Sequence, residues 1–80
     1  MTLGDFIKNY VETDTIVEID ARYAKEDTGL WFEYCGPISI LLDDRIGYEK
    51  LLNARLESIK PTFRKHQIGE VRLGIIIAYE

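Results

Sequence analysis

The segment from Val71 to Tyr79 restricts the fold more than any other part of the chain. Val71, Leu73, Ile75, Ile77 and Tyr79 fall on one face of an extended backbone, and Ile76 and Ala78 fall on the other. A strand that is apolar on both faces needs cover on both. It therefore belongs in the middle of a sheet, or against a partner. With only 80 residues in the sequence, one domain must supply that cover. An apolar content of 46% is enough for a core without covalent staples.

The cover can be sought upstream. Thr2 with Asp5 three residues later has the form of a capping box. Leu3, Phe6, Ile7, Tyr10 and Val11 then recur at helical spacing, which predicts a short helix over about residues 3–11. Asp5 falls in the first turn, where the helix dipole favours an anion. From Thr15 to Tyr23 the chain alternates: Val17, Ile19, Ala21 and Tyr23 on one face, Glu18, Asp20 and Arg22 on the other. Lys25-Glu26-Asp27-Thr28-Gly29 is a polar connection, and the aromatic-rich Leu30–Cys35 reads as the second strand of a hairpin. Strict alternation sets Leu30, Phe32 and Tyr34 on one face and Trp31, Glu33 and Cys35 on the other. Gly36-Pro37 ends the strand.

Ile38–Leu42 reads as a short strand or as an apolar stretch entering a helix. Asp43 or Asp44 is a candidate N-cap, with Tyr48, Leu51 and Leu52 as the apolar stripe that follows. Leu56 and Ile59 either continue that stripe to Pro61 or begin another strand after Asn53, and periodicity alone does not decide. The polar segment Lys60–Glu70 is then the loop before the last strand. The expected fold is a small α+β domain of order αββαββ. It has a mostly antiparallel sheet, the last strand central, and one or two helices on the Val17/Ile19/Phe32/Ile75/Ile77 face. The alternative is αββαβ with one long second helix.

Charge divides the chain in two. Residues 1–44 carry ten acids against three bases, a net of −7, and residues 45–80 carry seven bases against four acids, a net of +3. Such asymmetry points to an electrostatic partner or to self-association. The overall −4 and a pI near 4.9 argue against general nucleic-acid binding, which needs clustered cations. Cys35 is the single cysteine, which suits a reducing, cytoplasmic compartment. Met1–Phe6 lacks a basic segment leading into a long apolar run, so no signal peptide is expected. No apolar run is long enough for a membrane span.

Chemistry-bearing residues are few. His66 is the single histidine. As a general base it would need an activated nucleophile such as Cys35. Cys35, however, sits in an aromatic strand where free cysteine serves as packing, and His66 lies between Lys65 and Gln67 in the expected loop. Asp43, Asp44 and Glu49 could hold a hard cation, but adjacent acids before a helix are more often a cap. Glu26-Asp27 reads as a solvated turn. The glycines match no phosphate-binding fingerprint. No catalytic residue, metal or cofactor is expected. Lys60, Arg64, Lys65 and His66 around Phe63 are the best nucleic-acid candidate, as cations interleaved with an aromatic, although direct nucleic-acid binding is not the favoured reading. The strongest candidate surface is the second sheet face. There Glu18, Asp20, Trp31, Glu33, Arg72 and Ile76 would gather, with Arg22 and Cys35, as an aromatic anchor ringed by charge.

The opening Met1-Thr2-Leu3-Gly4-Asp5-Phe6-Ile7, the following Thr15-Ile16-Val17-Glu18-Ile19, and Leu51-Leu52-Asn53-Ala54-Arg55-Leu56-Glu57-Ser58-Ile59-Lys60-Pro61 with a closing apolar strand resemble small proteins encoded by phages and mobile elements of Firmicutes. The resemblance covers most of the chain and rests on pattern. It implies a strand over Leu56–Ile59 and no catalytic residues. Some small proteins on such elements antagonise host defence, CRISPR nucleases included. With the small size, the absence of catalytic groups and the acidic N-terminal half carrying Trp31, that context makes a non-enzymatic, anti-CRISPR-like inhibitor, binding a cationic nucleic-acid-handling host protein through an acidic surface, the first expectation. A homo-oligomer joined through Gly74–Ala78 is the second expectation, and a weak single-stranded nucleic-acid binder using Lys60–His66 the third.

Overall fold

The computed structural model describes residues 1–10, 12–23, 29–63 and 71–79. The capping box forms as a reciprocal pair: the Thr2 N–H donates to Asp5 Oδ2 at 3.2 Å, and the Asp5 N–H donates to Thr2 Oγ1 at 3.1 Å. Two N–H groups that the first helical turn would leave without partners are thereby satisfied. The helix α1 (Leu3–Tyr10) follows and buries Leu3 and Ile7.

The sheet holds β1 (Ile16–Tyr23), β2 (Leu30–Pro37), β3 (Arg55–Phe63) and β4 (Val71–Tyr79) in the order β2-β1-β4-β3. The two hairpin pairs, β1 with β2 and β3 with β4, are antiparallel, and the central pair β1 with β4 is parallel. The last strand is therefore internal, as its two-sided apolarity requires. Val17, Ile19 and Ala21 of β1 and Ile75 and Ile77 of β4 form the buried floor. Leu3, Ile7, Ile38, Leu41 and Leu51 press on that floor from the helices, so one side of the sheet is packed by helix.

The second helical position is two short helices, α2 (Ile38–Asp43) and α3 (Glu49–Leu52). Asp43 and Asp44 do not cap the second: Asp43 ends α2, and Asp44 turns the chain. The Asp44 Oδ1 accepts the Gly47 N–H at 3.0 Å, and a side chain on Gly47 would collide with the same carboxylate. Ile38–Leu42 is thus helical. Its first turn begins after Pro37 with no side-chain cap. The loop before β1 supplies that role instead, through the Thr15 carbonyl (to Ile38 N, 3.1 Å) and the Thr13 carbonyl (to Ser39 N, 3.0 Å).

Two further differences separate the structure from the alternation of the sequence. β3 runs on through Lys60, Pro61 and Thr62 to Phe63, where a loop is expected. Pro61 is tolerated because β3 is an edge strand, where a missing N–H need not break a ladder. In β2, Ile19 pairs with Tyr34 and the next residue, Asp20, pairs with Phe32. Glu33 is left out of the register as a β-bulge, which shifts the alternation by one residue.

Candidate functional site

The bulge at Glu33 redistributes the expected surface. Directly paired residues project to the same face of a sheet. Phe32 pairs with Asp20 and Cys35 with Glu18, so both lie on the face away from the helices. Trp31 pairs with the buried Ala21 and therefore lies on the helix side, at the sheet's margin. Phe32 does not join the Val17/Ile19/Ile75/Ile77 floor. Of the six residues expected together, Glu18, Asp20, Arg72 and Ile76 share the open face: Glu18 pairs with Gly74 and Asp20 with Ile76. Trp31 and Glu33 do not join them.

Glu33 is turned to the helix side, where its Oε1 accepts the Tyr23 hydroxyl at 2.7 Å. Tyr23 and Tyr79 pack with ring centroids 5.0 Å apart, and the Lys50 Nζ of α3 stands 4.7 Å from the Tyr79 ring centre and 5.9 Å from that of Tyr23. Burial, and then the negative charges of Glu33 and Tyr23, push the Tyr79 phenol up to about 12.

On the open face two arginines cross the central strands. Arg22 reaches from β1 over β4 to Glu57 of β3, with Nε 3.1 Å from Oε1. Arg72 reaches from β4 over β1 to Cys35 of β2, with Nη1 2.8 Å from Sγ. Gly74 and Ala78 lie beneath this lacing and are buried, and Ile76 is half-buried. The apolar second face of β4 is accounted for by its central place and these side chains. Acids and bases alternate over the face: Glu18, Asp20 and Glu57 against Arg22, Lys60 and Arg72. It is not the purely acidic rim that the N-terminal half suggests.

What remains uncovered is a corner of β2. Leu30, Trp31 and Phe32 are consecutive and are 45%, 49% and 63% exposed. Ile40, Ile46 and Ile59 are also exposed, but each stands singly, which is ordinary. Leu30 and Phe32 form an apolar patch at the sheet's outer edge on the open face, and Trp31 stands exposed on the other side of the same edge. The corner's signal in the sequence is the unbroken Leu-Trp-Phe run, which strict alternation does not explain.

Asp44 is engaged in its turn with Gly47, and among the described residues no group of three or more His, Cys, Asp and Glu side chains is placed to hold a metal. His66, and with it any pairing of His66 with Cys35, lies outside the described residues, as do the Glu26-Asp27 turn, Arg64 and Lys65. Lys60, the first cation of that run, sits on β3 opposite Gly74. No helix among the described residues is long and apolar enough to cross a membrane. No family model matches this chain, and no curated protein or solved structure does.

Proposed function

We propose that this chain is a non-enzymatic protein-interaction module that docks a cationic, nucleic-acid-handling protein of its host. The docking surface is the Leu30–Phe32 corner together with the acids of β1, Glu18 and Asp20. The observation that carries this reading is the exposure of three consecutive apolar side chains at that corner. Aromatic anchors dominate the energetics of protein interfaces, and charge around them steers association and sets register. Asp20 lies directly beside Phe32 in the register, so a cationic partner meets an acid and an anchor together. The resemblance to small phage and mobile-element proteins of Firmicutes supplies the context: a protein of this kind acts by occupying a host defence nuclease.

The experiment is a tagged pull-down from lysate of a Firmicutes host, eluted with salt and read by mass spectrometry. One cationic nucleic-acid-handling protein, released by salt, is the expected result. The double variant Glu18→Lys with Asp20→Lys, and separately Phe32→Ser, should lose it while circular dichroism stays unchanged. Recovery of the bait alone, or capture indifferent to both variants, would sink the reading.

A further inference from the structure

We infer that the partner binds by adding a strand to the outer edge of β2, and that the added strand alternates apolar and basic residues. This deepens the proposed function and rests on it. β2 ends the sheet order, and no described residue pairs with its outer side. An edge strand is a template for another chain, and proteins that do not use an edge blunt it with charge, proline or bulges.

Each edge of this sheet carries a proline, Pro37 in β2 and Pro61 in β3, and a bulge, so the two differ in charge. β3 carries Arg55, Glu57, Lys60 and Pro61, with a bulge at Glu57. β2 has one charged residue, Glu33, and the bulge turns it inward to the Tyr23 hydroxyl. From Leu30 to Phe32 the edge bears no guarding charge at all.

The same three residues are arranged to grip an added strand from both sides. Leu30 and Phe32 pair with Arg22 and Asp20 on the open face, and Trp31 pairs with Ala21 on the helix side. Successive side chains of an incoming strand also alternate between these sides. Main-chain hydrogen bonds would give affinity, and the flanking side chains selectivity.

Charge chooses between occupants. β1 and β2 together carry Glu18, Asp20 and Glu33 against Arg22, a net of −2 at this edge of the sheet. A second copy would bring this same charge to the edge, whereas a basic strand is attracted to it.

The test uses the whole protein and a short peptide of alternating Lys and Val. Trp31 is the single tryptophan, so its emission reports the site directly. The expected result is a saturable change in that emission with slowed amide exchange over Leu30–Phe32. An alternating Glu–Val peptide should produce neither. Methylating the backbone nitrogens along one edge of the Lys–Val peptide should weaken binding roughly tenfold or more, because main-chain bonding tolerates sequence and not missing donors.

Equal binding of the methylated peptide would overturn strand addition and leave the docking corner standing. So would no response up to millimolar peptide, if lysate capture still required Phe32. If capture were also indifferent to Phe32→Ser, both the inference and the proposed function would fall. Slowed exchange over β2 appearing with concentration-dependent dimerisation, and no peptide response, would give the edge to a second copy and overturn the basic strand.

Discussion

Tyr34 folds back along its own strand, and Gly36 makes that possible. The Tyr34 hydroxyl donates to the Pro37 carbonyl at 2.7 Å, and its ring meets Tyr48 edge-on at 5.7 Å. A β-carbon on Gly36 would stand 2.9 Å from the hydroxyl oxygen, and the Gly36 φ of 154° is one that side chains disfavour. Gly36→Ala should therefore cost about 1–3 kcal/mol in urea unfolding. An unchanged midpoint would show that the ring moves aside freely. The capping box is a second device at this scale. Hydrogen bonds from the Thr2 backbone and side chain hold the Asp5 carboxyl below the ordinary carboxylate range. A lowered folded pKa gives stability that is present above the unfolded value, about 4, and is lost as pH falls through the folded one. Thr2→Ala, which removes only the hydroxyl that accepts the Asp5 N–H, should cost about 1 kcal/mol, whereas Asp5→Asn should lose stability at neutral pH and match the parent in acid. A deficit of Asp5→Asn that is the same at every pH would show that the Asp5 charge adds nothing to the cap.

At the scale of elements, legibility followed the regularity of the backbone. The capping box, the β1 alternation and the central place of β4 were readable because each rests on local spacing or on a face that demands cover. The phase of β2 was not. A bulge at a glutamate leaves no mark in a period-two pattern, so Trp31 and Phe32 exchange faces. The division of the second helix was hidden too, because Asp44 and Gly47 act through one turn hydrogen bond and not through a helix signature. The end of β3 was missed because a lysine and a proline look like loop, and only an edge position accommodates them. The bulge also has a chemical consequence, since it brings Glu33 to Tyr23 and Tyr79. A Tyr79 phenol raised to about 12 contributes stability that is complete below the unfolded value, about 10, and is lost as pH rises through the folded one. An absorbance titration near the phenolate band should find Tyr79 titrating late, with Tyr34 also raised by burial, and Glu33→Gln should bring Tyr79 partly earlier. If Glu33→Gln leaves the titration unchanged, the inward turn of Glu33 is wrong.

For the whole molecule, the order β2-β1-β4-β3 converts a pattern in sequence into a pattern in space. The strands of the acidic half lie together on one side of the sheet, and those of the basic half lie on the other. The protein thus carries a charge gradient across its strands, and in the proposed docking that gradient would orient the partner before contact. A basic segment drawn to the negative side would arrive at β2, whose Leu30–Phe32 edge has no guarding charge. Raising salt should slow that association far more than it speeds dissociation, as stopped-flow mixing of the partner pair would show. A salt-independent on-rate would mean that the gradient does no steering.

The parallel pairing of β1 with β4 also sets an order of events at the ribosome. β4 emerges after the other three strands, yet it lies between β1 and β3 and supplies Ile75 and Ile77 to the floor under the helices. Until it is made, the β1–β2 hairpin and the helices have only half a sheet to rest on. Contacts so distant along the chain close slowly, and a nascent chain stalled before residue 71 would expose its apolar surface to whatever holds unfinished proteins in the cell.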